Sequence, residues 1–194
     1  DKNKNWVEYE KHVTGFPYYY PTHALVLWNT DSIAYFHDYY SAQLPNEKYW
    51  MRPGINFSSI SSTRFTTKLL VGGRMCDMAA NTIFPSADEK NSILGLLGIL
   101  NSNLCQHFMR LLNPTINTQV GDLARLPIPS SGNGHINYYV RKLINYSLLL
   151  DALQEDKLFF IFPFLQYKNL NKDNLIQNKI ISTQLELQKV VFDF

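Results

Sequence analysis

Ile55-Asn56-Phe57-Ser58-Ser59-Ile60-Ser61-Ser62, then Phe65-Thr66-Thr67-Lys68-Leu69-Leu70-Val71, the pair Gly72-Gly73, Met75-Cys76-Asp77-Met78 and Asn81-Thr82-Ile83-Phe84 decide the fold of this chain. Each segment is short, rich in β-formers and bounded by turn residues, which predicts an antiparallel or mixed sheet. Ser86, with Glu89 three residues on, reads as a capping box that opens a helix. Leu94, Leu97, Leu104, Phe108 and Leu111 then form a helical stripe. Ile93, Leu96 and Leu100 broaden it, so this helix is expected to be mostly buried. Asn101-Ser102-Asn103 is placed to break it in two, with Asn101 or Ser102 capping the second half. Strands followed by helices give the fold class as α+β, a small mixed or antiparallel sheet packed with helices.

Outward from this centre the signals change. Gly15-Phe16-Pro17-Tyr18-Tyr19-Tyr20-Pro21 brackets three tyrosines with prolines and reads as an extended or turning segment. Its tyrosines are expected to pack on a core edge rather than to stack on bases. Ala24 to Trp28 reads as a buried strand and Asn29-Thr30-Asp31-Ser32 as a turn; Ile33 to Leu44 is aromatic and ambiguous. On the other side, Pro114 cannot continue the preceding helix and pushes Asn113 towards an extended conformation. Gly121-Asp122 is a turn signal, and Pro127 with Pro129 keeps the exit extended. Ser130-Ser131-Gly132-Asn133-Gly134 follows as a linker. Beyond it Tyr139, Leu143, Tyr146, Leu150 and Leu153 form one apolar stripe, and Ile176, Ile180, Leu187 and Val191 another. The expected organisation is therefore 1–130 as one domain and 131–194 as a helical C-terminal extension.

A hydrophobic content of 45% and an aromatic content of 14% in 194 residues fit a folded domain with a sizeable core. The apolar runs fall short of the roughly 20 residues a bilayer needs, so no membrane partner is expected. The chain starts at Asp1 without an initiator Met or a signal-peptide pattern, and is read as a fragment whose natural start lies upstream. Cys76 and Cys105 are too few for a disulfide framework and are expected to be buried free thiols.

The net charge of +2 is weak, but its distribution is uneven. Lys48, Arg52, Arg64, Lys68 and Arg74 lie in a window without any acidic residue. The same window holds Ser58, Ser59, Ser61, Ser62, Thr63, Thr66 and Thr67. Cations interleaved with hydroxyl donors suit a polyanion. A solvated strand-and-turn face would have the same composition, so both readings stand at this level.

No Gly-rich phosphate loop and no Gly-x-Ser-x-Gly elbow occurs. His12, His23, His37, His107 and His135 are scattered, without metal-ligand spacing. Glu8 and Glu10 beside Lys11, or Asp88-Glu89-Lys90, lack the flanking pattern of a nuclease carboxylate cluster. Asn113-Pro114-Thr115-Ile116 lacks the second proline and the aromatic of the Asn-Pro-Pro-aromatic motif of amino-methyltransferases, so it is not read as a catalytic site.

Two stretches carry a family resemblance. One is Pro53-Gly54-Ile55-Asn56-Phe57-Ser58-Ser59-Ile60-Ser61-Ser62-Thr63-Arg64-Phe65, running on to Cys76-Asp77 and Asn81-Thr82-Ile83-Phe84. The other is Leu96-Leu97-Gly98-Ile99-Leu100-Asn101-Ser102, running on to Leu111 through Asp122 and to Leu126-Pro127-Ile128-Pro129. Together they resemble the C-terminal target-recognition region of large adenine-specific DNA methyltransferases, the PglX-type enzymes of BREX phage defence, with fused type IIG restriction–methylation enzymes nearby. The resemblance covers about residues 6–130 and is weak beyond 135.

The resemblance implies sequence-specific reading of double-stranded DNA by a cytoplasmic protein, in partnership with a methyltransferase catalytic domain in cis or as a separate subunit. That domain would bind S-adenosylmethionine; this chain carries neither its cofactor motifs nor its catalytic ones, and is expected to be non-catalytic by itself. Arginine pairs bidentately with guanine, and hydroxyl groups reach base edges or phosphates. The DNA-contacting group is therefore expected to comprise Arg52, Ser58, Ser59, Ser61, Ser62, Thr63, Arg64 and Lys68. Asn113, Asn117 and Gln119 are expected to satisfy backbone groups near their turn in preference to touching DNA. The competing reading is a protein-interaction module that docks a methyltransferase or other defence subunit through its aromatic segments and its C-terminal amphipathic helix.

Overall fold

A computed structural model gives the fold and describes residues 6–11, 17–22, 24–40, 42, 44–60, 64–78, 80–85, 92–129, 134–152 and 172–192. The capping box at Ser86, the 130–133 linker, Leu153 and the aromatic segment 159–164 lie outside the described residues. The architecture is α+β, with two small sheets and helices packed over one of them.

The first sheet has the order β2-β1-β5, with β1 (Trp6–Glu10) antiparallel to β2 (Leu25–Leu27) and parallel to β5 (Met75–Cys76). The second has the order β4-β3-β6 and is antiparallel throughout, with β3 (Gly54–Ser58) between β4 (Thr67–Leu70) and β6 (Ala80–Ile83). Strand alternation divides β3 into two faces. Ile55 and Phe57 look to the helices; Asn56 shares its face with its cross-strand neighbours Lys68 and Thr82. At the connection from β4 to β5, Gly73 takes φ +87°, a left-handed conformation that glycine adopts without a steric penalty. Its N–H donates to the Met51 carbonyl.

Helices α2 (Ile93–Leu100) and α3 (Asn103–Leu112) cover this sheet. Ser92 caps α2 by accepting from the Gly95 N–H, and Ser102 caps α3 by accepting from the Cys105 N–H. The break expected at Asn101-Ser102 is therefore present. It also resets the helical phase. Leu111 is 68% exposed and Cys105, Gln106 and Met109 are the buried residues of α3, while Leu104 and Phe108 of the expected stripe pack partly buried against the same core.

After the short α4 (Val120–Leu123), α5 (Gly134–Ala152) and α6 (Lys172–Phe192) pack on each other. Ile136, Val140, Leu143, Leu187 and Val191 join the same buried cluster as Ile55, Phe57 and Leu97. The approach of α5 to α2 is close. A Cβ on Gly98 would lie 2.4 Å from Ile136 Cγ2 and 2.9 Å from Val140 Cγ2.

Two local expectations are corrected. Asn29 to Ser32 is not a free turn; Asn29 Oδ1 accepts from the Ser32 N–H and caps α1 (Thr30–Asp38), which also resolves the ambiguous segment after it. Leu25–Leu27 is an edge strand without buried residues, with Leu25 60% exposed, because nothing pairs with its outer side among the described residues. Tyr18 and Tyr19 are buried, packing as expected instead of facing solvent.

Candidate nucleic-acid interface

Strand β3 is the axis of the candidate site, and its two ends carry different chemistry. At its start, a 3-10 turn (Glu47–Tyr49) and Met51 at φ +58° lead into Arg52. Tyr49 stacks on Phe84 with centroids 4.7 Å apart and planes 13° apart. The Lys48 ammonium lies 4.7 Å from the Tyr49 ring centroid, and the Arg52 guanidinium 5.9 Å from that of Phe84. Both cations are exposed. Trp50 donates its indole N–H to the Pro45 carbonyl at 2.8 Å and meets Trp28 edge-on at 4.9 Å.

At the far end of β3, Ser58 Oγ donates to the Ile60 carbonyl at 2.8 Å. The Ser59 carbonyl accepts from the Thr118 N–H at 2.7 Å, and Ile60 forms an antiparallel bridge with Asn117. The Asn113–Asp122 stretch is thereby fastened to the end of the sheet. Its own side chains close the turn. The Asn113 amide donates to the Asn117 carbonyl at 2.7 Å and to Asp122 Oδ2 at 2.6 Å, and Asn113 Oδ1 accepts from the Thr115 N–H at 3.0 Å. The Gln119 N–H donates to Asp122 at 3.0 Å. The amide of Asn113, and then the Gln119 N–H, hold the Asp122 carboxyl below its ordinary range.

Arg64 is exposed and donates from Nη2 to the Asn101 carbonyl at 2.9 Å, which ties the loop before β4 to the α2–α3 break. Asn101 itself is buried. Its amide donates to the Thr67 carbonyl (2.9 Å), the Thr67 hydroxyl (2.8 Å) and the Leu97 carbonyl (3.0 Å), and its Oδ1 accepts from the Thr67 N–H (3.1 Å).

The eight residues read from the sequence therefore do not form one group. Ser58 and Ser59 lie at one end of β3, next to the segment that the Asn113 turn fastens there, whereas Arg64 is tied to the α2–α3 break. Arg52 sits at the other end, roughly 15–20 Å away by the length of the strand. Ser61, Ser62 and Thr63 lie outside the described residues.

Lys68 is removed from any exposed group. It is 3% exposed and ion-paired with Glu10, which is 2% exposed. Arg74 is likewise 6% exposed and paired through Nε with Glu8, while its Nη2 donates to the Tyr19 hydroxyl at 3.3 Å. Burial works against the Arg74 charge, but Tyr19 and Glu8 outweigh it and raise its pKa. The acid-free window thus acquires its counter-ions from β1, a distant segment. The signal was present in the alternation Glu8-Tyr9-Glu10, which puts both carboxylates on one face of a strand; which basic residues they meet is a matter of tertiary pairing. The aromatic–cation cluster of Lys48, Tyr49, Arg52 and Phe84 also escaped the sequence reading, since Phe84 is distant in the chain.

Next to that cluster is a cavity of about 300 Å³. Tyr49, Trp50, Met51, Arg74, Met75 and Phe84 contribute to its walls. Cys76, Asp77 and Met78 separate it from a second cavity, of about 360 Å³, that is walled by Tyr9, Trp28 and Phe36. Burial raises the Cys76 thiol above its ordinary value, with hydrogen bonds to Thr82 and Asn56 opposing, so it stays protonated at neutral pH. Among the described residues no group of His, Cys, Asp and Glu is arranged to hold a metal, and no helix is long and apolar enough to cross a membrane.

No protein-family model matches the chain. Over 106 residues, 55% of the chain, it is 26% identical to the adenine-specific methyltransferase BrxX of Escherichia coli O9:H4 (strain HS). Over 102 residues, 53% of the chain, it is 29% identical to the adenine-specific methyltransferase PglX of Lacticaseibacillus casei (strain Zhang). The matched segment spans 9% of the first relative's length and 8% of the second's. About half of this chain is thus related in sequence to a small part of two adenine-specific methyltransferases.

Proposed function

We propose that this chain is the DNA target-recognition region of an adenine-specific, S-adenosylmethionine-dependent DNA methyltransferase of a restriction–modification or phage-defence system. It binds double-stranded DNA and chooses the site; a catalytic domain, in cis or as a separate subunit, binds the cofactor and transfers the methyl group. The observation that carries this reading is the placement of exposed cations at both ends of β3, Lys48 and Arg52 at one and Arg64 at the other, in a chain similar to two adenine-specific methyltransferases. The separation of roughly 15–20 Å exceeds the major-groove width of about 12 Å, so the two ends suit phosphates on either side of a groove. We assign the hydroxyl groups of Ser58 and Ser59, at the far end of that strand, to base edges or sugars.

The test is fluorescence anisotropy of this chain with a pool of random-sequence 30-base-pair duplexes at low salt, compared with Lys48→Ala/Arg52→Ala and Arg64→Ala variants. Binding that weakens in both variants supports the reading. Absence of binding, together with unchanged site choice when the same substitutions are made in the methyltransferase that contains this region, overturns it.

A second reading, a module that docks another protein, draws on a specific feature. Ile60, Leu111, Ile116 and Val120 are all more than half exposed around the Asn113 turn. Exposed apolar side chains gathered at one place mark contact surfaces. Ile60→Ser with Ile116→Ser separates the readings: it leaves duplex affinity intact and abolishes co-purification with the catalytic domain if the turn is a docking surface.

A further inference from the structure

Helix α3 turns Cys105, Gln106 and Met109 inward, and Gln106 Nε2 fastens it to the loop before β4 by donating to the Phe65 carbonyl at 2.6 Å. Its outer face is built differently. Asn103, His107 and Arg110 are exposed there. Spacings of four and three residues place them within an arc of roughly 60° and spread them over about 10 Å of helix axis. No acidic residue occurs from Asn103 to Leu112. A face that is only solvated gains from pairs of opposite charge three or four residues apart; α3 has none.

The surroundings leave this face its positive character. On the helices that touch α3, the Asp122 carboxyl is held by Asn113 and Gln119, and Glu186 by Lys189 at 2.8 Å. Lys68 and Arg74 have buried carboxylate partners, but among the described residues nothing pairs with the Arg110 guanidinium. Asn103 makes its hydrogen bond through the backbone N–H, to Gln188 Oε1. Arg64 adds an exposed cation at the start of the helix, where its Nη2 donates to the Asn101 carbonyl at 2.9 Å. Asparagine and arginine are the two side chains that pair bidentately with adenine and guanine, and a major groove about 12 Å wide admits a helix. At 3.4 Å per base pair, about 10 Å of helix face matches about three base pairs.

We propose that α3 is a base-reading helix. It enters the major groove with Arg110 on a guanine, Asn103 on an adenine about two or three base pairs away, His107 between them, and Arg64 on the phosphate beside the helix start. The assignment rests on the DNA-reading function proposed above and adds to it base readers that lie outside the basic, hydroxyl-rich window.

The test incubates this chain with a pool of random-sequence duplexes at low salt and sequences the bound fraction. The chain is expected to enrich a site with a guanine and an adenine about two to three base pairs apart. Arg110→Ala should cut the preference for that guanine about tenfold, and Asn103→Ala the preference for the adenine by a similar factor, both with the slope of log K against log salt unchanged. Arg64→Ala should instead weaken all sequences alike and reduce that slope by about 1. Arg110→Gln exchanges a reader of guanine for a reader of adenine and should move the preference at that position accordingly. These side chains are exposed, so thermal midpoints should stay level in every variant. Unchanged enrichment in Asn103→Ala, His107→Ala and Arg110→Ala overturns the reading helix, and binding that still weakens in Arg64→Ala then leaves the DNA function standing. A loss in Arg110→Ala that is uniform over all sequences, or binding by the unaltered chain without any sequence preference, also overturns it. If the unaltered chain binds no duplex, the DNA function falls and this assignment with it.

Discussion

Lys68 on β4 reaches across the space between the two sheets to Glu10 on β1, and both side chains are almost wholly removed from solvent. The pair joins elements 58 positions apart in the chain and gives the interior between the sheets a charged centre instead of an apolar one. Removing one partner leaves the other buried and uncompensated, at a cost of about 3–5 kcal/mol. Lys68→Met is therefore expected to destabilise the chain by that amount in urea titrations. The double change Lys68→Met/Glu10→Leu should recover most of the loss. Neither is expected to alter the salt dependence of DNA binding, because Lys68 does not reach the surface.

Salt dependence gives a count of the cations in contact with DNA. Lys48, Arg52 and Arg64 are the exposed basic residues of the window, whereas Lys68 and Arg74 are buried. Three phosphate contacts predict a slope of log K against log salt of about −3. Lys48→Ala/Arg52→Ala should reduce it to about −1. A slope near −5 would mean that Lys68 and Arg74 take part after all.

Gly98 fixes how closely α2 meets α5. The methyl group of an alanine there would press on Ile136 Cγ2 and Val140 Cγ2. Both neighbours are β-branched and stiff at χ1, so they yield poorly. Gly98→Ala is expected to cost about 1–3 kcal/mol despite its better helix propensity. Ile136→Ala removes the obstructing methyl, so the double variant should lose less in thermal denaturation than the two single losses added together.

Asn101 serves both the backbone and the hydroxyl of Thr67 and closes the end of α2. Asn101→Leu is close in volume but satisfies none of these groups. With buried polar groups left unpaired at about 1–3 kcal/mol each, the loss should exceed about 2 kcal/mol. Thr67→Val, which removes only the hydroxyl, is expected to cost about 1 kcal/mol in the same chemical denaturation series.

Alkaline pH should destabilise the fold through its buried thiol. Burial pushes the Cys105 thiol up to about 12, with Arg64 opposing. The unfolded chain gives up this proton near the ordinary value of about 9. The stabilising contribution is thus complete below pH 9 and is lost as pH rises towards 12. Tyr9, Tyr18 and Cys76 are shifted in the same direction, chiefly by burial, and steepen the trend. Denaturation midpoints measured from pH 7 to 11 should hold level and then fall above pH 9, with a shallower fall in Cys105→Ala.

Local features of the fold were legible in the sequence where the physics is local. Pro114 ends α3 and leaves Asn113 extended (φ −146°, ψ 100°) because a proline forbids helical geometry in the residue before it. Ser102 caps because a hydroxyl at that position reaches a free helix N–H. The turn at Gly72-Gly73 and the apolar side of the last helix follow in the same way from turn chemistry and from period. The phase of α3 did not, because a stripe continued across a break no longer describes one helix.

The candidate site followed the same division. Composition identified the window that holds Arg52, Ser58, Ser59 and Arg64, since residue type alone sets charge and hydrogen-bonding capacity. Which of its cations face solvent was decided by tertiary structure. Glu8 and Glu10 are far from the window in the chain, and only the packing of β1 beside the β3 sheet brings them to Arg74 and Lys68. The sequence by itself determined the α+β class, the helix ends and the chemistry available to the interface. Tertiary structure decided that two of five basic residues are neutralised inside and that the remaining cations are left exposed. Coulombic pairing and burial depend on distance in space, and distance in space between remote segments is not written in the order of residues.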